Sequence, residues 1–78
     1  MTPKSNSAKF FGEVLKELRL ERGLTQDELA EKAMLNDRSH VSALERATKS
    51  PTLPTIFSLA HALNILPSEI LKLVEGKL

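Results

Sequence analysis

The chain contains no cysteine, no tryptophan and no tyrosine, and only three phenylalanines. Without cysteine there is neither a disulfide framework nor a thiolate metal site, a usage that suits a reducing compartment. Without Tyr and Trp, aromatic stacking on single-stranded bases is a poor binding mode for this chain. Apolar runs are short and fall well below the ~20 residues of a membrane span. The opening MTPKSNSAK has no signal-peptide core. Strong charge is missing too: eleven Lys and Arg against ten Asp and Glu leave a formal net charge of +1. Composition by itself therefore does not announce a nucleic-acid partner. These absences predict a soluble cytoplasmic protein with no membrane partner.

Catalytic signatures are equally scarce. The sequence holds no Gly-rich phosphate loop, no paired catalytic carboxylates and no nucleophile elbow. Asp37, Ser39 and His40 are near neighbours, but side chains one residue apart do not face each other on a helix. His61 has no Asp, Glu or Cys companion at metal-ligand spacing, so it reads as a surface or interface histidine. No enzyme, no metal and no cofactor is expected.

What is present is helical periodicity. A single domain is expected from 78 residues, and a chain of this size buries only roughly 60 % of its unfolded surface. Its 41 % hydrophobic content is enough for one small core. Residues 1–6, with Pro3 among polar neighbours, read as a flexible tail; alternatively Lys4 and Lys9 form a basic arm that touches phosphate. A first helix is predicted over 7–22, with Phe10, Phe11, Val14, Leu15 and Leu18 on one apolar face. Gly23 ends it in a positive-φ conformation, and Gly12 permits another helix to come close.

A second helix is predicted over 26–33. Thr25 and Glu28 have the spacing of a capping box, and Leu29, Ala30 and Ala33 share a face. Asn36 is expected to take the left-handed turn and Asp37 to cap a third helix over 37–46. Val41 and Leu44 point inward in that helix, while Arg38, Ser39, Ser42 and Ala43 point elsewhere. A fourth helix, capped by Thr52 with Pro54 in its first turn, carries a stripe of Leu53, Ile56, Phe57, Ala60 and Leu63 up to Asn64. A fifth, over 67–75, starts at Pro67 and stops at Gly76. Ile70, Leu71, Leu73 and Val74 make it more apolar than one small core can use. Leu66, Ile70, Leu73 and Val74 are therefore expected to form a homodimer face.

The pattern L-R-x-x-x-G-x-T-Q-x-x-L-A, followed by V-S-x-L-E-R and S-P-T-L, resembles the lambda-repressor-like (Xre) helix-turn-helix family. Leu18, Arg19, Gly23, Thr25, Gln26, Leu29, Ala30, Val41, Ser42, Leu44, Glu45, Arg46, Pro51 and Leu53 carry the resemblance, which spans about residues 14–71. It implies an all-α, compact five-helix lambda-repressor-like domain over 7–78, with the second and third helices forming the helix-turn-helix. Within that family the chain also resembles the compact controller proteins of restriction–modification systems.

The resemblance also implies a function. The third helix enters the major groove of duplex DNA, so Arg38, Ser39, His40, Ser42 and Ala43 are the expected base-contacting residues, with Arg38 suited to guanine O6 and N7. His40 has a second reading, as a half-buried packing residue. Gln26, Asn36, Arg46, Lys49 and Ser50 are the expected contacts to the DNA backbone, and Glu45 is expected to pair internally with Arg19. Two departures stand out: Met34 and Ala47 occupy positions where the family usually has glycine. The connection before the third helix is also one residue longer than usual. With Ala47 in place of glycine, the third helix is expected to run somewhat further.

The expected function is that of a prokaryotic or phage transcription regulator, most often a repressor, meeting a near-palindromic operator as a dimer. The alternative is an antitoxin or other protein-interaction module of the same fold, with a protein partner such as a toxin. Near-neutral charge and the apolar last helix favour that alternative; Gln26, Arg38, Arg46 and Lys49 favour DNA.

Overall fold

The structure, a computed structural model, describes residues 4–78 and holds among them five α-helices and no strand: α1 (Lys4–Glu21), α2 (Gln26–Lys32), α3 (Arg38–Glu45), α4 (Leu53–Leu63) and α5 (Pro67–Lys77). Its radius of gyration of 11.4 Å agrees with the about 11.5 Å expected of a folded chain of this length. Among the described residues no single helix is long and apolar enough to cross a membrane.

All five helices feed one core. Phe11, Val14, Leu15 and Leu18 of α1 meet Leu29 and Ala30 of α2 with the adjoining Ala33, Val41 and Leu44 of α3, Leu59, Ala60 and Leu63 of α4, and Ile70 and Val74 of α5. The expected α4 stripe is corrected here: Leu53 and Phe57 are more than half exposed, and Leu59, fully buried, takes the inward position instead. On a helix advancing about 100° per residue, Ile56, Leu59, Ala60 and Leu63 form one continuous stripe, whereas Phe57 falls beyond its edge.

Local chemistry sets the helix starts. Thr25 Oγ1 accepts from the Glu28 N–H at 3.0 Å while Glu28 Oε1 accepts from the Thr25 N–H at 2.8 Å, closing the capping box. Asp37 caps α3 and Thr52 caps α4, each through its side chain. Leu66 has no side-chain acceptor, but its N–H donates to Glu69 Oε1 at 3.0 Å ahead of α5.

Four helix ends share one device. Gly23, Met34, Ala47 and Asn64 all have φ between 58° and 67°. After each, the next N–H reaches back five residues: Leu24 to Arg19, Leu35 to Ala30, Thr48 to Ala43 and Ile65 to Ala60, at 2.9–3.1 Å. This is the Schellman closure, which satisfies carbonyls the helix leaves open. Leu24, Leu35 and Ile65 then pack against the core, anchoring the reversed chain.

The left-handed turn before α3 therefore belongs to Met34, not Asn36, and Met34 is 90 % exposed. Ala47 likewise takes the glycine-like conformation, so α3 stops at Glu45 instead of running on. Two further expectations are corrected. α5 continues through Gly76 to Lys77, with no positive φ at that glycine. Lys4–Asn6, expected in a flexible tail, are already helical; the rest of that tail, and the side chain of Lys4, lie outside the described residues. Lys9 Nζ sits 5.9 Å above the Phe10 ring.

Gly12 does what its place suggested. A Cβ there would stand 2.6 Å from the carbonyl oxygens of both Leu44 and Glu45. The C-terminal turn of α3 thus rests directly on α1, at a distance only glycine allows.

Candidate nucleic-acid interface

The orientation of α3 is fixed from inside. Arg19 on α1 is almost fully buried, and its guanidinium meets Glu45 through Nε–Oε2 at 2.7 Å and Nη2–Oε1 at 3.1 Å. The same guanidinium donates from Nη1 to the Leu24 carbonyl at 2.9 Å, closing the α1–α2 turn. Gln26 Nε2 adds a third donor to the Glu45 carboxylate, at 3.1 Å. One carboxylate thereby ties α1, the start of α2 and the end of α3 together. Donation to the Glu45 carboxylate holds the Arg19 guanidinium above its ordinary range, outweighing the opposing effect of burial. The Arg19–Glu45 pairing is the one expected; the sharing with Gln26 was not foreseen, because 19 residues separate the two and no local pattern signals it.

With Val41 and Leu44 buried, the helical repeat turns Ser39, Ser42, Ala43 and Arg46 to the opposite face. Arg38 stands on one flank, lining a cleft with Gln26, Thr25, Asp27 and the α1–α2 turn. His40 stands on the other flank and is half-buried, as its packing reading expects. Asn36 is exposed just before the cap, and Lys49 and Ser50 are exposed in the α3–α4 connection.

The side chains on this face are partly organised already. Asp37 Oδ1 accepts from the Ser39 N–H at 2.9 Å and also from the Ser39 hydroxyl. These bonds, the hydroxyl first, hold the Asp37 carboxyl below its ordinary range. Arg46 Nε donates to Ser42 Oγ at 3.1 Å, one turn back. Two of the five expected base-contacting residues therefore have their hydroxyls engaged within the helix. Among the described residues, Arg38, Arg46 and Lys49 have no carboxylate partner, since the ion pairs there join Arg19, Arg22 and Lys77 to glutamates.

No local pattern signals the contact made by Arg22 either. Its Nε donates to the Leu63 carbonyl at 2.5 Å, clasping the end of α4 to the end of α1. Lys77 is a comparable clasp between α5 and α1, reaching Glu17 at 3.1 Å and Glu13 at 3.5 Å.

The expected dimer residues divide. Ile70 and Val74 are 0 % and 7 % exposed and belong to the core of the chain itself. They lie on the inward side of α5 and cannot also serve an outer face. Leu66, at 63 %, and Leu73, at 47 %, remain exposed, as does Leu71.

Comparison with known proteins gives concordant matches. A family model described as helix-turn-helix matches residues 15–70. The immunity repressor protein of Bacillus phage phi105 is 46 % identical over 59 residues, which are 76 % of this chain and 40 % of the repressor. The chain thus spans two fifths of that relative's length. Among solved structures, the restriction–modification controller protein C.AhdI from Aeromonas hydrophila is 43 % identical with a TM-score of 0.77, covering 81 % of this chain and 94 % of the controller. The controller protein C.Esp1396I, solved as a tetramer in complex with its natural 35 base-pair operator, is 27 % identical with a TM-score of 0.82, covering 91 % and 92 %.

Proposed function

The chain belongs to the helix-turn-helix family, and from that premise we propose that it is a transcription regulator that binds duplex DNA sequence-specifically as a homodimer. The observation that carries this reading is the outward face of α3. It is locked to α1 and α2 through Glu45 and bordered by Arg38, Arg46 and Lys49, none of which is spent on a carboxylate among the described residues. A rigid helix with free cations at both ends is what groove entry between two phosphate strands requires.

In this reading Arg38 and Ala43 contact base edges, joined by the free lone pair of the Ser39 hydroxyl and by His40 at the margin. Arg46, Lys49 and Ser50 meet phosphates, with Gln26 and Asn36 beside them. The modest net charge is compatible with this, because residues 36–50, which span α3 and the connection after it, carry a small cationic excess. Repression as the mode of action is supported by the phage relative, and a prokaryotic or phage setting by the sources of the phage repressor and of C.AhdI. The relatives are a repressor and controller proteins, which favours DNA binding over the antitoxin or toxin-partner alternative.

Homodimer formation is supported by the leucines left outside the core, Leu66, Leu71 and Leu73, and by the oligomeric operator complex of C.Esp1396I. Two recognition helices related by a twofold axis would meet half-sites about 34 Å apart on a near-palindromic operator. The deciding experiment is selection from a random duplex library, then titration of the enriched site across salt concentrations. A near-palindromic winner with a steep salt dependence is expected. An unenriched library with equal, weak binding to every duplex would overturn the reading.

A further inference from the structure

On the outward face of α3, Ser42 and Arg46 stand one turn apart, and Arg46 Nε donates to Ser42 Oγ at 3.1 Å. We infer that Ser42 is a positioning residue: it orients the Arg46 guanidinium toward a DNA phosphate and does not itself read a base. The inference rests on the duplex-DNA reading above and refines the division of labour within it.

Arg46 is exposed and follows the last turn of α3, where a long side chain is otherwise free to sweep through many rotamers. Fixing Nε on a half-buried neighbour restricts that sweep. Because Nε is the donor nearest the chain, the bond leaves both Nη groups, at the far end of the planar fork, for an acceptor beyond the helix. Among the described residues no carboxylate competes for them. Phosphate oxygens match such a fork, and ordering it in advance removes part of the entropic cost of binding.

Ser42, for its part, is poorly placed to discriminate bases. Its hydroxyl accepts from Arg46, and a serine can donate to or accept from several base edges. The next residue, Ala43, presents only a methyl group on the same face, so the sequence information from this turn falls to Ala43. Arg46 begins just as Glu45 is fixed by Arg19 and Gln26, so the backbone that carries the fork is held as firmly as the fork itself.

The test uses the full chain with Ser42→Ala, Ser42→Thr, Arg46→Ala and the Ser42→Ala/Arg46→Ala pair. In the free protein, NMR of the Arg46 Nε–H should show exchange with water about three- to tenfold faster in Ser42→Ala than in wild type, with Ser42→Thr restoring the slow rate. On DNA, Ser42→Ala should weaken binding about three- to tenfold on both the selected and a scrambled duplex, leaving base preference unchanged. Arg46→Ala should reduce the salt slope by about 0.9, and Ser42→Ala should add nothing in that background. Equal exchange rates in wild type and Ser42→Ala would overturn the inference. So would a Ser42→Ala effect that alters preference at one base pair or persists without Arg46, since Ser42 would then be a reader. If wild type binds no duplex at all, the DNA reading fails and the phosphate role with it, while the exchange comparison still decides whether Ser42 orients Arg46.

Discussion

Met34 and Ala47 hold a backbone conformation that glycine adopts more readily, and replacing each with glycine should stabilise the protein. Both have φ near 60°, where a side chain costs about 1–2 kcal/mol through the clash of Cβ with the carbonyl that follows. Glycine returns part of that gain, because its unfolded chain is freer by roughly 0.5–1 kcal/mol. Met34 is 90 % exposed, so removing its side chain forfeits almost no packing. A net gain of about 0.5–1 kcal/mol is expected for Met34→Gly. Ala47 is half-buried, so loss of its methyl group trims the gain there to about 0.5 kcal/mol. The two turns flank α3 at opposite ends and share no hydrogen bond, so the effects should add. A double variant gaining about 1–1.5 kcal/mol corresponds to a rise in Tm of roughly 4–10 °C for a domain of this size. Thermal and urea unfolding, followed by circular dichroism at fixed protein concentration, would measure it. Two controls calibrate the result: Gly23→Ala should cost about 1 kcal/mol, and Asn64→Gly should change little because Asn tolerates this conformation. If Gly23→Ala is costly while both glycine variants are neutral or destabilising, the reasoning from backbone strain is wrong at these turns.

Four further outcomes follow from the same geometry. Gly12→Ala should destabilise by about 2 kcal/mol, since its Cβ would press on two backbone carbonyls at 2.6 Å and overpacking outweighs alanine's helix preference; urea unfolding measures it. Arg38→Ala should cost about 1–3 kcal/mol on the selected operator and relax one base position, whereas an equal loss on every duplex would make Arg38 a phosphate contact. Leu73→Glu should shift the chain toward monomer by light scattering while leaving its helical circular dichroism intact; Val74→Glu, aimed at a residue of the core, should unfold it. Asp37 has a depressed carboxyl, so its capping contribution is complete above the unfolded value of 3.8 and is lost as pH falls through the lower folded value. The Ser39 amide shift should therefore titrate with a midpoint below 3.8, and Asp37→Asn should keep the cap and abolish that titration.

Much of this molecule was legible before any coordinates, and the reason is distance along the chain. Caps at Thr25, Asp37 and Thr52, the stops at Gly23 and Asn64, and the apolar faces of α1 and α2 depend on contacts within about four residues, which a linear pattern records. Family resemblance supplied the Arg19–Glu45 pair, which spacing alone would not have given. What the linear pattern left open was decided by packing. Whether Leu73 or Val74 turns inward depends on where α1 lies against α5, and the share of Glu45 taken by Gln26 depends on three helices meeting. Met34 and Ala47 look like ordinary helical residues locally, and nothing in their chemistry asks for a positive φ. Packing of the half-buried Leu35 against the core after the one, and both hydrogen bonds of Thr48 to the Ala43 carbonyl after the other, pull the chain through that conformation. Local capping thus fixed where helices begin, while the packing of Leu35 and the Schellman hydrogen bonds together, against a conformational cost of about 1–2 kcal/mol, determined how α2 and α3 end.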